Sequence, residues 1–277
     1  MKKRIVDLIK SALGNVEFAI RGFNYSSDEL IVLCMHSTPA DQMLAFEKLI
    51  DFLLKHFKPM HPSQLENYYS GNLKDGPYVL FTFDDGLKNN LHVARLLAQR
   101  KIHAYFFLVP AFIQSQDQKA YYRTNIRQEI DFSFDKHNDD FISMSVSDVR
   151  HLLMAGHKVG SHTMTHLLRG ESAKEEVAKE VSESKSVLQE LIDTEVLAFC
   201  SPINTAMSVN EYAKHLIGKQ YKYHFTTFPG LNGAKKNQQL IFRRNIEVNW
   251  SSGKIKFALG RCDLHRWDQH VARYVEM

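Results

Sequence analysis

Residues 78–86 read YVLFTFDDG, six strand-forming residues that end in two adjacent aspartates and a glycine. The apolar run is typical of a buried strand. Two neighbouring carboxylates at a strand end rarely stay ionised together unless a cation lies beside them. Gly86 permits a tight turn that can aim Asp84 and Asp85 into one cleft. Asp-Asp-Gly is equally suited to a simple turn that leads into a helix N-terminus.

A second group of polar residues follows another predicted strand, in the stretch KVGSHTMTH at 158–166. If this segment is helical, His162 and His166 meet on one face and can chelate one divalent ion. In parallel α/β folds, functional sites gather at the carboxyl ends of the strands. His36 follows the first predicted strand and Ser201–Asn204 follow a later one, so we expect all of these residues at one cleft.

Short β-branched or aromatic runs alternate with longer amphipathic runs along the chain. The predicted strands are Ile31–Met35, Tyr78–Phe83, His103–Leu108, Lys158–Gly160, Val196–Cys200, Tyr223–Thr227 and Arg244–Val248. The predicted helices are Asp41–His56, Asn89–Arg100, Ser145–Ala155, Ser172–Ile192 and Asn210–Ile217. This alternation predicts an α/β domain with a mostly parallel sheet, either open or closed into a barrel. The long irregular stretch at 111–142 is predicted to be a lid or a substrate-facing loop.

Composition excludes several classes of protein. The 277 residues are 44% hydrophobic and 24% charged, which are ordinary values for a globular domain. Lys and Arg number 35 against 31 Asp and Glu, and the net charge of +4 is too mild to predict nucleic-acid binding. Cys34, Cys200 and Cys262 are far apart and odd in number, so neither a disulfide framework nor a cysteine-based zinc site is expected.

The N-terminal segment, residues 1–28, is predicted to be a helical appendage ahead of a barrel domain at 29–277. Asp7 and Lys10 break the run that follows the first basic residues, so it does not read as a secretory signal. Its apolar residues recur at helical spacing: Ile5, Leu8, Ile9, Ala12, Leu13 and Val16.

Two interpretations of this helix remain open. Residues 1–22 carry five basic and two acidic side chains. A surface helix packed on the body is favoured, and a helix lying on an anionic membrane face is the alternative. No stretch approaches ~18 uninterrupted apolar residues. We therefore expect a cytoplasmic protein with possible peripheral membrane contact through residues 1–22.

Two imidazoles and one carboxylate are the ligands of a zinc-type catalytic site with an open position for water. The remaining carboxylate can then serve as general base on that water. Such a site suits hydrolysis of an amide or an ester. The same ligand set also describes a non-haem iron oxygenase. Those enzymes usually place the triad on an antiparallel double-stranded helix, against which the strand–helix alternation argues.

The segments TFDDG (82–86) and SHTMTH (161–166) resemble the two signature motifs of the NodB-type polysaccharide deacetylases, carbohydrate esterase family 4. The similarity extends over roughly residues 30–250 and keeps the expected order of elements. The resemblance implies a distorted (β/α) barrel of the NodB type with about seven mostly parallel strands. It also implies metal-dependent removal of N-acetyl or O-acetyl groups from sugars.

The resemblance assigns roles to individual residues. It implies that Asp84 is the general base and that Asp85, His162 and His166 bind one divalent ion, for which zinc is expected. The turn at 199–204, with Ser201 and Ile203, corresponds to the segment that donates to the oxyanion. This turn lacks the arginine, aromatic residue and glycine that the family usually has around the proline.

The missing arginine ordinarily orients the general base. Arg243 or Arg244 at the last strand is the expected replacement, and a surface role for one of the pair is at least equally expected. The general acid is also open between two histidines. In typical members it lies near the C-terminal end of the domain, where His265 stands without a clear preceding strand. His36 follows a good strand and resembles the early histidine of a subset of the family, so His36 is favoured.

The sequence therefore predicts a cytoplasmic zinc-dependent deacetylase. Its expected substrate is an N-acetylated sugar, an oligosaccharide or a nucleotide- or lipid-linked glycan precursor. One alternative is another amidohydrolase of the same fold, such as a deformylase or a cyclic imide hydrolase. The other is a catalytically silent glycan-binding module.

Overall fold

The computed structural model of the chain describes residues 2–127, 141–203, 205–233, 240–265 and 267–276. The strands are β1 Glu29–Met35, β2 Lys58–Pro59, β3 Tyr78–Phe83, β4 Ala104–Leu108, β5 Lys158–Ser161, β6 Ala198–Cys200, β7 Tyr223–Phe225, β8 Asn232–Gly233, β9 Leu240–Ile241 and β10 Arg244–Asn245.

Helices alternate with these strands. They are α1 Lys2–Arg21, α2 Met43–Leu54, α3 Leu65–Tyr69, α4 Asn90–Gln99, α5 Pro110–Gln114, α6 Gln118–Tyr121, α7 Val146–Met154, α8 Lys174–Ala178, α9 Ser184–Ile192, α10 Thr205–Ser208, α11 Glu211–Gln220, α12 Ser252–Leu259, α13 Arg261–His265 and α14 Asp268–Glu276. Short 3₁₀ segments cover Ala40–Gln42 and Pro62–Gln64, and π turns cover Tyr122–Ile126 and Lys179–Glu183.

The strands form one sheet in the order β10-β1-β3-β4-β5-β6-β7-β9, and every neighbouring pair in this path is parallel. The two ends of the sheet, β9 and β10, are joined by only two residues, 242 and 243. The sheet must therefore curve round until its ends nearly meet, and it forms a nearly closed barrel. The predicted distorted (β/α) barrel is confirmed.

The number of strands differs from the prediction of about seven. The structure has ten among the described residues, and the three additional strands, β2, β8 and β9, are two residues long. Strands this short carry no periodic pattern, which is why the sequence does not reveal them. One of them, β8, pairs with β1 in the antiparallel direction.

Alternate residues of the central strands pack on opposite faces of the sheet. Leu33 and Phe81 belong to the layer under the helices, whereas Val32 and Leu80 belong to a second cluster inside the barrel. Both faces are dry, and this accounts for the uninterrupted apolar run of β3. Because the main strands run in one direction, the residues that follow their carboxyl ends meet at one rim of the barrel.

The N-terminal helix α1 packs on α12 at a very close crossing. A Cβ atom on Gly14 would lie 2.1 Å from the carbonyl oxygen of Gly253, and one on Gly253 would lie 2.4 Å from that of Ser11. The expected surface helix is present, but its packing face is not the apolar one. Leu8 is 70% exposed and Leu13 49% exposed, so these side chains point away from the body. Within the described part of the chain, no helix combines the length and apolarity needed to cross a bilayer.

The crossing predicts that a side chain at residue 14 loosens α1. In Gly14→Val, the new side chain must displace the backbone of α12, so amide exchange across α1 should accelerate by roughly tenfold or more. The amides of β3 and β4 should remain protected. Hydrogen exchange measured by mass spectrometry checks both. Ala12→Val, on the exposed face of the same helix, is the control, and equal exchange in the two variants would contradict this packing.

Candidate active site

Five strand ends surround one cleft of about 700 Å³. His36 follows β1, the two aspartates follow β3, and the two predicted ligand histidines follow β5. The turn at 201–203 follows β6, and Glu247 follows β10 by two residues. Of the predicted site residues, the cleft is lined by His36, Asp84, Asp85, His162, His166 and Ile203.

Asp84 is held by a buried guanidinium. Arg243 is fully buried, and its Nη1 and Nη2 donate to the two carboxylate oxygens of Asp84 at 2.7 and 2.8 Å. Burial acts to raise the pKa of Asp84, but the charges of Arg243 and, more weakly, of His162 and His36 hold that pKa well below its ordinary value. Asp84 is therefore ionised, and both of its oxygens are bound.

Asp85 has different surroundings. Its Oδ1 lies 3.6 Å from Nε2 of His162 and 3.7 Å from Nε2 of His166, distances too long for hydrogen bonds. Its Oδ2 is buried and has no hydrogen-bond partner, although Nε of Arg127 lies 3.7 Å away. A buried carboxylate oxygen without a hydrogen-bond partner is rare, and it indicates that a bound group normally contacts this atom.

The tautomers of the two histidines point to the same missing partner. Nδ1 of His162 donates to the carbonyl of Cys200 at 3.0 Å, and Nδ1 of His166 donates to that of Asn125 at 3.2 Å. Because a carbonyl only accepts, each Nε2 carries a lone pair directed at Asp85. Burial also lowers the pKa of both rings, that of His166 to about 3, which keeps them neutral.

These three residues fit a divalent metal ion. One atom from each of Asp85, His162 and His166 lies within 4.8 Å of the other two. A carboxylate and two imidazole nitrogens, each ring oriented by a backbone carbonyl, are the donor set and the supporting contacts of catalytic zinc sites.

Among the residues that the structure describes, two other groups include cysteine: Cys34 with His36 and Asp84, and Asp84 with His162 and Cys200. Cys34 Sγ donates to Asp84 at 3.4 Å, and Cys200 Sγ accepts from Nη2 of Arg243 at 2.8 Å. Burial raises the pKa of both thiols, whereas a metal binds the thiolate. Because Asp84 is also occupied by Arg243, these groups fit a metal less well.

The segment that carries His162 and His166 is not the helix that their i, i+4 spacing suggested. Residues 162–166 form an irregular loop, in which Thr163 and His166 have φ of 66° and 69°. The hydroxyl of Thr163 accepts from the backbone N–H of His166 at 2.9 Å, and the two histidine rings lie 5.0 Å apart. Asp85 also has a left-handed backbone, with φ of 70°. Such conformations are strained and concentrate at functional sites.

A buried glutamate fixes this strained loop. Glu180 Oε2 accepts from the backbone N–H of Thr165 at 3.0 Å, and its Oε1 accepts from the Thr165 hydroxyl at 2.5 Å. Its backbone carbonyl accepts from the N–H of Met164. Glu180 lies in the π turn Lys179–Glu183, where the sequence predicts a regular helix. Helical periodicity gives no sign of a π turn, so this residue was missed.

His36 has a carboxylate partner that the sequence analysis missed. Its Nδ1 donates to Oε1 of Glu247 at 3.1 Å. A ring nitrogen of His36 also lies within 4.8 Å of an Asp84 oxygen. The sequence analysis placed Glu247 inside a strand predicted to run to Val248, whereas β10 ends at Asn245, so the strand-end argument did not select this residue.

The turn after β6 places only one of its two predicted residues at the cleft. Ile203 is 47% exposed, has φ of 48° and lines the cleft. Ser201 is buried behind the turn, and its hydroxyl lies 2.6 Å from Nε2 of His224. Asn204 lies outside the described residues.

The remaining predictions for the site have mixed outcomes. Both arginines of the last strand are buried, so a surface role for one of them was wrong. Arg244 donates to the carbonyls of Ala258 and Gly260 at the end of α12. His265 ends α13, and its side chain lies outside the described residues, as do residues 128–140 of the predicted lid. The described part of that stretch contributes Asn125–Arg127 to the cleft.

His224 predicts a pH dependence of stability. Burial first, and the charges of Lys214 and Arg243 second, lower the pKa of His224 to about 3. The unfolded chain, with a histidine pKa near ~6.5, therefore binds one more proton between these values. Stability is fully present above pH ~6.5 and falls as the pH drops toward about 3.

In His224→Gln, the loss of unfolding free energy between pH 7 and pH 5 should be smaller than in the wild type by roughly 1–2 kcal/mol. Urea denaturation at the two pH values measures it. An identical loss in both proteins would contradict a buried neutral His224.

Comparisons with known proteins give one family match and several structures with the same fold. The family model described as polysaccharide deacetylase matches residues 71–224. Among the solved structures that share the fold are the following three. A Streptococcus pyogenes deacetylase, PplD, in complex with acetate, is 15% identical with a TM-score of 0.64, covering 83% of this chain and 98% of its own. The BpsB deacetylase domain from Bordetella bronchiseptica is 17% identical with a TM-score of 0.62, covering 81% and 98%. IcaB from Ammonifex degensii is 19% identical with a TM-score of 0.60, covering 84% and 98%. No curated protein sequence matches the chain.

Proposed function

Because the chain belongs to the polysaccharide deacetylase family, whose members are carbohydrate deacetylases that hydrolyse C–N bonds, we propose that it removes an acetyl group from an N-acetylated sugar or glycan in a metal-dependent reaction. The observation that carries the metal dependence is the convergence of two histidine lone pairs on a buried carboxylate, one oxygen of which has no hydrogen-bond partner. The proposed substrate is an N-acetylated sugar, oligosaccharide or glycan precursor.

Asp85, His162 and His166 are the proposed metal ligands, and zinc is the proposed ion. Two neutral imidazoles and one carboxylate match zinc and leave a coordination position open. A divalent ion bound here supplies Lewis-acid polarisation of the acetyl carbonyl and lowers the pKa of water. The chain provides the orientation of the donors, because both rings are fixed through Nδ1 by backbone carbonyls.

Asp84 is the proposed general base. Its Oδ2 lies 3.8 Å from Nε2 of His162, so it is next to the metal ligands without being the best-placed one. Arg243 keeps the carboxylate ionised and fixes its plane, as the arginine missing from the turn at 199–204 would do. Asp84 accepts a proton from the water that attacks the acetyl carbonyl.

His36 is the proposed general acid, and Glu247 is its positioning partner. The contact with Glu247 places the proton of the neutral ring on Nδ1, so Nε2 is the atom that gains and loses a proton. The protonated ring donates to the nitrogen of the leaving amine when the tetrahedral intermediate breaks down. The backbone N–H of Ile203 is the proposed donor to the oxyanion.

The proposed roles predict that a variant of a metal ligand loses the ion, whereas a variant of the general base keeps it. His162→Ala should lose tight binding of zinc, since it removes one of three ligands. Asp84→Asn should keep the ion nearly intact and lose acetate release, because the amide cannot accept the proton. Elemental analysis of the purified variants and acetate release from N-acetylglucosamine oligomers measure the two quantities.

Each result has a contrary outcome. Stoichiometric zinc in His162→Ala would show that the ligand assignment is wrong, and loss of zinc in Asp84→Asn would show that the two aspartates have exchanged roles. Release of formate from N-formyl sugars without acetate release would favour the deformylase alternative. Sugar binding without any turnover would favour the silent glycan-binding module.

The general acid is tested by three matched variants. His36→Ala should lower kcat by ~10²–10⁴, the usual contribution of general acid–base catalysis, without releasing the ion. Glu247→Gln should lower kcat less, because its amide oxygen can still accept from Nδ1. His265→Ala is the comparison. A large loss there, with near-normal turnover in His36→Ala, would place the acid in the C-terminal segment.

A further inference from the structure

The solvent side of α1 is a continuous apolar strip, here called the outer face of α1. Seven of the sixteen large hydrophobic side chains exposed among the described residues lie on this single helix, which shows that the strip is not ordinary surface variation. The outer face consists of Ile5, Leu8, Ile9, Leu13, Val16 and Ile20, each 49% exposed or more. Their spacing of three and four residues keeps them on one side over the length of the helix.

The opposite side of α1 is fixed to the barrel, so the outer face cannot turn inward. The close crossing of Gly14 with Gly253 leaves no space for either helix to rotate a larger side chain into the contact. Asp7 pairs with Lys254 at 2.8 Å, and Glu17 accepts from the backbone N–H of Arg261 at 2.8 Å. The apolar strip is therefore a fixed feature of the surface.

These contacts also determine which charged side chains of residues 1–22 face the barrel. Residues 1–22 contain five basic side chains and only two acidic ones, Asp7 and Glu17. Both acids are bound to the body, and so is Lys10, whose Nζ lies 6.0 Å from the centroid of the Phe257 ring on α12. Arg4 is exposed beside the apolar strip.

We propose that the outer face of α1 binds the surface of an anionic lipid bilayer. Its apolar side chains enter the boundary between headgroups and acyl chains, and the exposed Arg4 beside them contacts the headgroups. The helix lies along the surface and does not cross the bilayer. This inference goes beyond the proposed deacetylase activity and does not depend on it.

Charge argues against a second copy of the chain as the occupant. Two outer faces packed together would form an apolar seam flanked by Arg4 of each copy and by no acidic side chain of α1. A helical pair normally compensates such charge with acidic residues that flank the apolar seam. Here the only two acids of the segment are bound to the barrel.

Vesicle flotation of the full-length purified protein tests the proposal. The wild type should float with vesicles of phosphatidylcholine and phosphatidylglycerol, and less with phosphatidylcholine alone. The double variant Leu8→Glu/Leu13→Glu should bind the anionic vesicles roughly tenfold more weakly or worse, since two apolar anchors become charged.

The control is Leu44→Glu/Met154→Glu, which introduces the same two charges at exposed apolar residues of α2 and α7. It should bind as the wild type does. Thermal unfolding should be unchanged in both variants because none of these side chains packs in the core. Leu8→Gln/Leu13→Gln repeats the test without added charge.

Three results would overturn the proposal. The first is a wild type that floats with neither kind of vesicle. The second is a control variant that loses binding as strongly as Leu8→Glu/Leu13→Glu does. A wild-type dimer that Leu8→Glu/Leu13→Glu converts into monomers would show instead that a second copy covers this face.

Discussion

The buried pair of Arg243 and Asp84 is the interaction on which both the barrel and its site depend. Arg243 lies in the two-residue link between β9 and β10, where the ends of the sheet meet. From there it donates to Thr82 on β3 and to the carbonyl of Thr226 just after β7, as well as to Asp84. Removing one partner of such a buried pair typically costs about 3–5 kcal/mol, because the other charge is left uncompensated.

The same pair separates the functions of two adjacent aspartates. Asp84 has both oxygens on a guanidinium, whereas Asp85 faces two imidazole lone pairs and keeps one oxygen without a hydrogen bond. The left-handed backbone of Asp85 is what lets neighbouring residues point into the same cleft with different partners. The loop at 162–166 also contains left-handed residues, and the carboxylate of Glu180 holds it through two contacts with Thr165.

Much of this arrangement could be predicted from the sequence, because parallel strands bring their carboxyl ends to one rim. That rule predicts that His36, Asp84, Asp85, His162 and His166 share one cleft, as they do in the structure. The rule could not predict the conformation of the loop at 162–166, because a left-handed backbone at a residue other than glycine has no signature in the sequence. The contacts of Glu180 with Thr165 and the burial of Ser201 against His224 join segments that are distant in the sequence. The direction of the outer face of α1 likewise depends on two glycines 239 residues apart, Gly14 and Gly253.

Arg243 withholds Asp84 from a metal ion, and we propose that the ion therefore binds through Asp85, His162 and His166. X-ray absorption spectroscopy of the zinc-loaded protein tests this most directly, because the competing groups of ligands include the sulfur of Cys34 or Cys200. We predict a first shell of nitrogen and oxygen only, at about 2.0–2.2 Å. A sulfur scatterer at about 2.3 Å would show that the ion is bound on the cysteine side of Asp84, and would contradict the account.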